Sequence, residues 1–380
     1  MNTLHIVMVS YDFLPNIGGV SAYVYEVSKA LIKRGHQVTI LTQFISWSSK
    51  KKEDNIDGIR VIRVPIPPVK KISDYVYRQR MRNVIQDMEC NENIDVIHWH
   101  TLNKDAQVMK PLMIKALEVY TNHLSWFRML YNDGHHHHIY KLIREPDVII
   151  CPSNEILTMS EDLFHSATIK CLPNGVDDQV FYPDQNLRMK MRTEYGIKED
   201  ETVIISTSRM EPVKGIEILL DAIPKVLEQT EKVIFILVGD GSQQEKFQQK
   251  MWENTPYHEN VLFTGRLSNQ DTRSLLQASD VFVQSSLMEG SSIAIAEAMA
   301  CGKPVVATAV GGNCEMVTNS TGILVPPHNS EALKEALLAC LQNPKKYLKF
   351  GENGREVVEK KLNWSNLAIE IEQLYRSPKR

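Results

Sequence analysis

Short apolar runs alternate with amphipathic segments along the chain. In the amphipathic segments apolar residues recur every three to four positions, which is typical of helices. A continuous apolar strand followed by a helix, repeated many times, favours a parallel sheet that is covered on both faces. In the first half a helix is predicted over 20–35, and the predicted strands are 4–10, 36–43, 59–65, 94–100, 116–122 and 146–153.

The alternation pauses in turn-forming residues near 172–184 and then restarts. In the second half a helix is predicted over 215–229, and the predicted strands are 201–210, 233–241, 261–267, 279–286, 303–312 and 321–327. We therefore predict an α/β protein with two doubly wound, Rossmann-like domains. Open α/β sheets bind ligands beyond the carboxyl ends of their strands, so the loops that follow strands are where chemistry is expected.

Composition narrows the class of protein. A chain of 380 residues, 43% apolar and 23% charged, is long enough for two ordinary cores. A net charge of −3 argues against a nucleic-acid partner, which usually needs a strongly basic surface. The six cysteines include no CxxC pair, which favours reduced thiols over disulfides or a zinc site. The sequence has no secretory signal pattern and no membrane-spanning run, so we expect a cytoplasmic protein.

Three loops carry residues suited to anions or to helix caps. Gly18 and Gly19 precede the first helix, where backbone N–H groups can approach an anion closely, although a tight turn would need the same residues. Arg209 and Lys214 lie between a strand and a helix. A forked cation and a point charge suit a diphosphate, although two solvated cations would have the same pattern. Asp240 is predicted to cap the helix that follows it.

The segment 289–297, EGSSIAIAE, has a carboxylate at each end. Residues Gly290–Ser292 are predicted at a helix N-terminus, where free amides and the helix dipole favour phosphate oxygens. Glu297 lies one to two turns into that helix, within reach of ribose hydroxyls, and its apolar neighbours mean that the carboxylate needs a partner. Glu289 lies near any group attached to the phosphates, and an ordinary surface charge is its alternative interpretation.

Taken in order, these residues resemble a retaining glycosyltransferase with the GT-B fold, of the family 4 type (glycosyl transferases group 1). The resemblance covers nearly the whole length. It is strongest over 289–317, where Glu289 and Glu297 form the E-x7-E signature of the family. It implies two Rossmann-like domains that face a central cleft. The implied domains are an acceptor-binding domain (1–178), a nucleotide-sugar-binding domain (179–363) and a C-terminal helix that crosses back to the first domain (364–380).

The resemblance also implies roles for individual residues. Arg209 and Lys214 would bind the diphosphate of a nucleotide sugar, and Glu289 would lie beside the donor sugar. Glu297 would bind the ribose, and His123 would contact the transferred sugar. The residues expected to be catalytic are therefore His123, Arg209, Lys214 and Glu289. Further donor contacts are implied for Gly18, Gly19, Gly290, Ser291, Ser292, Ile293, Arg266 and Leu267, the last two beside the base.

The implied activity is transfer of a hexosyl or N-acetylhexosaminyl group to a hydroxyl acceptor with retention of anomeric configuration. Two cations and a helix N-terminus can stabilise the charge that develops on the leaving diphosphate, and no DxD-type metal sequence is present. We therefore expect no metal and no cofactor besides the nucleotide sugar, with UDP favoured as the commonest donor nucleotide. Ser291 and Ser292 replace the Phe-Gly that is common in the family, which leaves the sugar preference open.

Several alternatives remain open at this stage. His98 and His100 are predicted to point to opposite faces of their strand, and His135–His138 is interpreted as a solvated loop rather than a metal site.

The segment 69–86, with Lys70, Lys71, Arg78, Arg80 and Arg82, is either a solvated helix or a peripheral contact with the inner face of a membrane. A small-molecule acceptor and a lipid-linked acceptor are both compatible with the sequence. Competing functions are a GT-B nucleotide-sugar epimerase, a phosphorylase and a catalytically inactive GT-B scaffold.

Overall fold

A computed structural model describes residues 2–15, 18–123 and 125–379, without the side chains of Lys71, Ser125 and Asn254. The chain divides into two compact units, each with its own sheet. The first unit is Met1–Pro173 together with Trp364–Arg380, and the second is Asn174–Asn363.

The first unit contains eight strands and their connecting helices. The strands are β1 (His5–Val9), β2 (Gln37–Ile45), β3 (Lys52–Ile56), β4 (Ile59–Ile66), β5 (Val96–Trp99), β6 (Leu117–Thr121), β7 (Val148–Cys151) and β8 (Thr168–Cys171). The helices are α1 (Gly19–Lys33), α2 (Lys70–Asn91), α3 (Asp105–Met109), α4 (Ser125–Asn132), α5 (His136–Leu142) and α6 (Asn154–Leu163). The strand order is β3-β4-β2-β1-β5-β6-β7-β8, and only the β3–β4 pair is antiparallel among the described strand pairs.

The second unit contains six parallel strands in the order β11-β10-β9-β12-β13-β14. The strands are β9 (Thr202–Thr207), β10 (Val233–Val238), β11 (Val261–Gly265), β12 (Val281–Gln284), β13 (Val305–Thr308) and β14 (Gly322–Val325). The helices are α7 (Gln185–Glu194), α8 (Ile216–Leu227), α9 (Gln244–Asn254), α10 (Asn269–Ala278), α11 (Ile293–Ala300), α12 (Asn313–Met316), α13 (Ser330–Gln342) and α14 (Pro344–Val357). A last helix, α15 (Trp364–Tyr375), belongs to the first unit.

The predicted fold class is confirmed: the chain forms two α/β, Rossmann-like units with parallel sheets. Central strands such as β1 and β12 are buried along their whole length, because helices cover both faces of each sheet. The edge strand β3 was not predicted, since its residues Lys-Glu-Asp-Asn-Ile are largely exposed and carry no apolar run. Among the described helices, none is long and apolar enough to span a bilayer.

The direction of winding reverses once in each sheet. In the first sheet β1 lies between β2 and β5, and in the second sheet β9 lies between β10 and β12. At such a switch point the loops after two adjacent strands lead away in opposite directions and leave a crevice, where open α/β sheets bind ligands. The two places to examine are therefore the loops after β1 and β5 and the loops after β9 and β12.

Candidate functional site

The loop that carries Arg209 is fixed by close backbone packing. The backbone N–H of Met210 donates to the carbonyl of Asp240 at 2.7 Å. Gly239 has a φ of +134°, and a Cβ atom there would lie 1.9 Å from the carbonyl oxygen of Ser208, so only glycine permits this approach. The prediction that Asp240 caps the next helix is wrong, because no side chain caps α9. The glycines on either side of Asp240 instead let two loops pack together.

Arg209 and Lys214 differ in their surroundings. Arg209 is exposed, and no hydrogen bond or ion pair with another described residue fixes its guanidinium. Lys214 is largely buried, with a side-chain exposure of 18%, and its Nζ lies 2.6 Å from Oε1 of Glu289. Gly215 follows in the left-handed region, and a Cβ there would lie 2.1 Å from the carbonyl oxygen of Ser285. The loops after β9 and β12 are thus in direct contact.

Glu289 lies in the loop after β12 and is 8% exposed. Its Oε1 accepts hydrogen bonds from Lys214 Nζ at 2.6 Å, from Gln284 Nε2 at 3.0 Å and from Ser286 Oγ at 2.7 Å. A buried, triply bonded carboxylate does not fit the alternative of an ordinary surface charge. Gln284 and Ser286 were not predicted from the sequence, although two polar residues that end an otherwise apolar strand were a usable signal.

The helix after this loop, α11, begins at Ile293. Ser292 caps it, because its Oγ accepts from the N–H of Ile295 at 3.2 Å. Ser291 Oγ accepts from the N–H of Asn174 at 2.9 Å, while Asn174 Nδ2 donates to the Ser291 carbonyl at 2.8 Å. Both serine hydroxyls therefore shape the loop. The N–H groups of the first helical turn, beginning with Ile293, have no acceptor within the helix.

Glu297 lies in the second turn of α11. Burial raises the pKa of its carboxyl group to about 8, so the group is largely protonated at neutral pH. A partner for this carboxyl group was expected from the sequence, yet no described residue forms a hydrogen bond or ion pair with it. The side chain retains partial exposure, so a ligand can reach it.

Several buried hydroxyl groups end β9. Ser206, Thr207 and Ser208 each have a buried Oγ atom without a hydrogen-bond partner among the described residues, and so does Oε1 of Gln284 on the adjacent strand. Buried polar atoms are normally paired, because an unpaired one costs about 1–3 kcal/mol. Their concentration at one switch point marks this edge of the sheet as a site for a polar ligand.

Arg266 and Leu267 follow β11, the strand at the edge of the sheet. Arg266 is exposed, and Leu267 packs partly against the core. The preceding residue, Gly265, accepts a hydrogen bond from the N–H of Gly239 at 2.9 Å, which connects this loop to the loops around Arg209. In the described residues no hydrogen bond joins Arg266 to either glutamate of the signature.

In the first unit, His123 lies after β6 in a group of aromatic side chains. Its Nε2 lies 3.2 Å from Nδ1 of His100, which follows β5. The ring of Tyr23, one turn into α1 from Gly19, packs edge-on against His123 with ring centroids 4.6 Å apart. Loops after two strands and the first helix therefore converge on His123.

A third histidine, His98, packs against this group. The Nε2 atom of His98 lies 2.7 Å from Oγ1 of Thr121, and its Nδ1 atom lies 2.7 Å from the hydroxyl oxygen of Tyr375 on α15. Its ring centroid is 4.3 Å from that of His100. The prediction that His98 and His100 point to opposite faces is wrong, because side chains two residues apart on a strand share a face.

The three histidines are neutral at physiological pH. Burial lowers the pKa of His123 to about 3, and burial with the neighbouring His123 lowers that of His98 to about 3. Burial, followed by the effect of the other two imidazoles, also lowers the pKa of His100. A neutral imidazole has one donor and one acceptor nitrogen, so His123 can offer a hydrogen bond without carrying a charge.

Gly18 and Gly19 lie at the beginning of α1, where Gly18 is in extended conformation. Among the described residues no atom lies within 4 Å of a Cβ built on either glycine. The protein's own packing there does not demand glycine, in contrast to Gly215 and Gly239. The N–H of Gly18 is already bonded, because it donates to Ser21 Oγ at 2.9 Å.

Of the run His135–His138, the last three residues lie in helix rather than loop, and His135 precedes it. Helix α5 begins at His136, so the prediction of a loop is wrong. Successive helical residues point in different directions, and no group of three or more potential metal ligands occurs among the described residues.

Models of two glycosyltransferase families match the chain. "Glycosyltransferase Family 4" matches residues 17–180, and "Glycosyl transferases group 1" matches residues 188–357. Among curated proteins, one component of the human phosphatidylinositol N-acetylglucosaminyltransferase is 28% identical, over 98% of this chain and 76% of the relative. The N-acetyl-alpha-D-glucosaminyl L-malate synthase of Bacillus anthracis is 25% identical, over 95% of this chain and 94% of the relative.

A solved structure of Anabaena HepE in complex with UDP-glucose has the same fold. Its TM-score is 0.78 at 22% identity, over 98% of this chain and 99% of that chain. The two family models between them match both units, and the two Rossmann-like sheets are those of GT-B glycosyltransferases. The resemblance seen in the sequence is confirmed, and the chain belongs to the group 1, family 4 type of glycosyltransferases, enzymes that transfer a hexosyl or N-acetylhexosaminyl group.

Proposed function

We propose that this enzyme transfers a sugar from a UDP-sugar to a hydroxyl acceptor, with retention of anomeric configuration and without a metal ion. One observation carries the proposal: the loop that carries Arg209 and Lys214 contacts the loop before α11 at one switch point, beside buried polar atoms that lack partners among the described residues. The names of two relatives support N-acetylglucosamine as the sugar, and the complex of HepE supports UDP as the carrier.

The diphosphate is the group that this switch point suits best. Charge develops on the β-phosphate as the bond to the sugar breaks, and preorganised donors in a partly buried site stabilise it strongly. Arg209 would provide a forked guanidinium that is not bound to other described side chains, and Lys214 would provide a point charge. The N–H groups from Gly290 to Ile293 would add the positive end of a helix. Together they supply the charge that a divalent ion would otherwise supply.

Glu289 would orient Lys214 and contact the donor sugar. An ammonium has three N–H donors, and Glu289 accepts one of them from Lys214. The remaining donors can reach phosphate oxygens without breaking that ion pair. Gln284 and Ser286 donate to the same carboxylate oxygen, Oε1, so its direction is set before the donor binds.

Glu297 would bind the ribose, and the backbone at Arg266 and Leu267 would receive the base. The protonated carboxyl of Glu297 can both donate and accept, which suits a diol with two donors and two acceptors. In the first unit, neutral His123 would contact the transferred sugar, and the backbone at Gly19 would approach the phosphates. The N–H of Gly18 would first have to leave Ser21 Oγ, to which it donates at 2.9 Å. Retention rests on the family resemblance, with a leaving phosphate oxygen helping to deprotonate the acceptor on the same face of the sugar.

The acceptor is proposed only as a hydroxyl compound. One relative is named for phosphatidylinositol and the other for L-malate, so a lipid acceptor and a small acid both belong in the test. A lipid-linked acceptor would bring the enzyme to a membrane surface, which is one of the two interpretations given above for the segment 69–86.

A matrix assay tests the proposal. UDP-N-acetylglucosamine, UDP-glucose and GDP-mannose are each incubated with L-malate or with phosphatidylinositol in detergent, with EDTA or with magnesium, and nucleotide release is measured. We expect release of UDP that depends on an acceptor and persists in EDTA, and an axial (α) anomeric linkage in the product by NMR. Conversion of the donor without any acceptor would point to an epimerase. If the folded protein shows no turnover with any combination of donor and acceptor, the result would favour a catalytically inactive scaffold. A product with inverted anomeric configuration would refute retention.

A further inference from the structure

Large apolar side chains are exposed together at one edge of the first unit. Ile45, at the end of β2, is 69% exposed, and Trp47, just after it, is 72% exposed. Ile72 and Tyr75 in the first turns of α2 are 44% and 59% exposed. Val69, just before α2, is 39% exposed. We call these five residues the β2–α2 surface. Scattered exposed apolar residues are ordinary, but several on two adjoining segments are typical of an interaction site.

Backbone contacts keep the two parts of this surface together. Ile45 pairs with Ile66 in the sheet, and the N–H of Ser46 donates to the carbonyl of Ile66 at 2.7 Å. Arg80 donates through Nη1 to the carbonyls of Ser48 at 3.0 Å and Pro65 at 2.6 Å. The loop that carries Trp47 is therefore attached to the end of β4, from which the chain enters α2.

Lysines surround the surface. Lys50, Lys51, Lys52 and Lys70 are exposed, and no carboxylate of the described residues lies within ion-pair distance of them. The ammonium of Lys52 lies over the ring of Phe44 at 4.7 Å. The nearby carboxylates of β3 are paired instead with arginines, Glu53 with Arg60 and Asp54 with Arg63. The surface is locally cationic, although the whole chain carries a net charge of −3.

The rest of α2 does not contribute to this surface. Its apolar face, Tyr77, Met81, Ile85 and Met88, is buried in the core of the first unit. Arg78 donates a hydrogen bond to the side chain of Gln107, and Arg80 donates to backbone carbonyls. Arg82 also donates to backbone carbonyls, one of them that of Gln107. The segment 69–86 therefore cannot lie flat on a membrane as an amphipathic helix. Only its first turns are available, together with the β2–β3 loop, which was not predicted to take part.

We propose that the β2–α2 surface docks on an anionic lipid bilayer. Tryptophan and tyrosine favour the interface between headgroups and acyl chains, isoleucine favours the acyl region, and lysines bind anionic headgroups. A protein partner would more often offer carboxylates in fixed positions. Here four lysines have no ion-pair partner in the described chain and lie near exposed apolar side chains. This arrangement matches a fluid, uniformly anionic surface. The proposal goes beyond sugar transfer, because it requires neither donor nor acceptor.

Vesicle co-sedimentation without nucleotide tests this surface. We expect the protein to bind vesicles of phosphatidylcholine with phosphatidylglycerol, to bind pure phosphatidylcholine much less, and to dissociate as salt is raised. The double variant Trp47→Ala/Tyr75→Ala should bind at least about tenfold more weakly. The double variant Lys50→Glu/Lys51→Glu should lose the preference for anionic vesicles, because its affinity for them should fall about fivefold for each lysine removed.

Trp252→Ala is the matched control, because Trp252 is 58% exposed on α9 of the second unit. It should bind vesicles like the unmodified protein, and thermal unfolding of every variant should be unchanged. The proposal is wrong if the unmodified protein binds no vesicles, or if Trp252→Ala weakens binding as much as the double variant. Self-association that disappears in Trp47→Ala, without vesicle binding, would assign the surface to a second copy of the chain and also refute it.

Discussion

At the switch point of the second sheet three charged side chains lie on adjoining loops, whereas the three histidines on and after β5 and β6 of the first sheet are neutral. Arg209, Lys214 and Glu289 carry full charges on loops after strands, and one cation is exposed. His98, His100 and His123 have lost their charge to burial. Under the proposed function the two groups would perform different tasks: stabilisation of a diphosphate needs charge, and orientation of an uncharged sugar needs rigid hydrogen-bonding groups.

The largest effect should come from removing a cation of the charged site. We expect Lys214→Ala to lower kcat by about 10²–10³-fold, because a donor to the leaving diphosphate is lost and Glu289 loses its counter-ion. Lys232→Ala is the matched control, since Lys232 also forms an ion pair, with Asp200, but is 62% exposed at the start of β10. Steady-state kinetics with saturating acceptor measure both variants. An equal loss of kcat in both variants, or no loss in Lys214→Ala, would contradict the assignment of Lys214 to the diphosphate site.

A smaller effect is expected from the neutral site. His100→Ala removes the hydrogen-bond partner of His123 Nε2, and we expect kcat to fall by about tenfold to 100-fold while the KM for the donor stays nearly constant. His100→Asn, which retains a polar group, should recover part of the loss. The pH–rate profile of the unmodified enzyme should show no imidazole ionisation in the usual histidine range near pH 6–7. A raised KM with unchanged kcat would instead place His100 in substrate binding.

The neutral site also depends on a charged anchor of α15. Burial alone would raise the pKa of Glu372, but hydrogen bonds from Arg376, Arg34 and His36 lower it to about 2. Its stabilising effect is therefore present above the ordinary pKa of 4.5 and is lost as pH falls from there toward 2. We expect Glu372→Gln to lower the free energy of unfolding at pH 7 by about 3 kcal/mol. The variant should also be less sensitive to acid, as measured by urea unfolding across this range; an unchanged acid dependence would contradict the anchor.

The smallest effect concerns Glu297. Its raised pKa means that the folded protein retains a proton which the unfolded chain releases, so stability from this group is greatest below pH 4.5 and declines as pH rises through about 8. Glu297→Gln cannot ionise, so we expect its melting temperature to exceed that of the unmodified protein by a few degrees at about pH 9 and by less at about pH 6. The reverse order would show that the carboxyl is ionised and paired in the folded state.

The same comparison shows what a sequence can reveal. The charged site is encoded in two short segments, 208–215 and 289–297, and its loops follow recognisable apolar strands, so its main residues were predictable. The partners Gln284 and Ser286 were missed although polar residues at the end of an apolar strand were a usable signal, and the role of Asn174 was not predictable because it depends on how separate loops contact each other.

The neutral site was largely hidden from sequence reasoning. His123 was found through the resemblance to a family. Tyr23, which packs on His123, and Tyr375, which packs on His98, lie far from these histidines in sequence and reach them only through folding. The strand β3 was missed because a charged edge strand has no apolar run. Burial, which removes the charge of the histidines, is likewise a property of the folded unit and has no local pattern.

The most direct test of the account is thermal stabilisation by UDP in EDTA, with GDP and ADP for comparison, for the unmodified protein and for Arg209→Ala and Lys214→Ala. At UDP about 100-fold above its Kd, we expect the melting temperature to rise by about 5–10 °C, and the rise to disappear in both variants. GDP and ADP should stabilise less. No shift with any diphosphate, or equal shifts in all three proteins, would contradict the claim that the switch point of the second sheet binds the donor diphosphate.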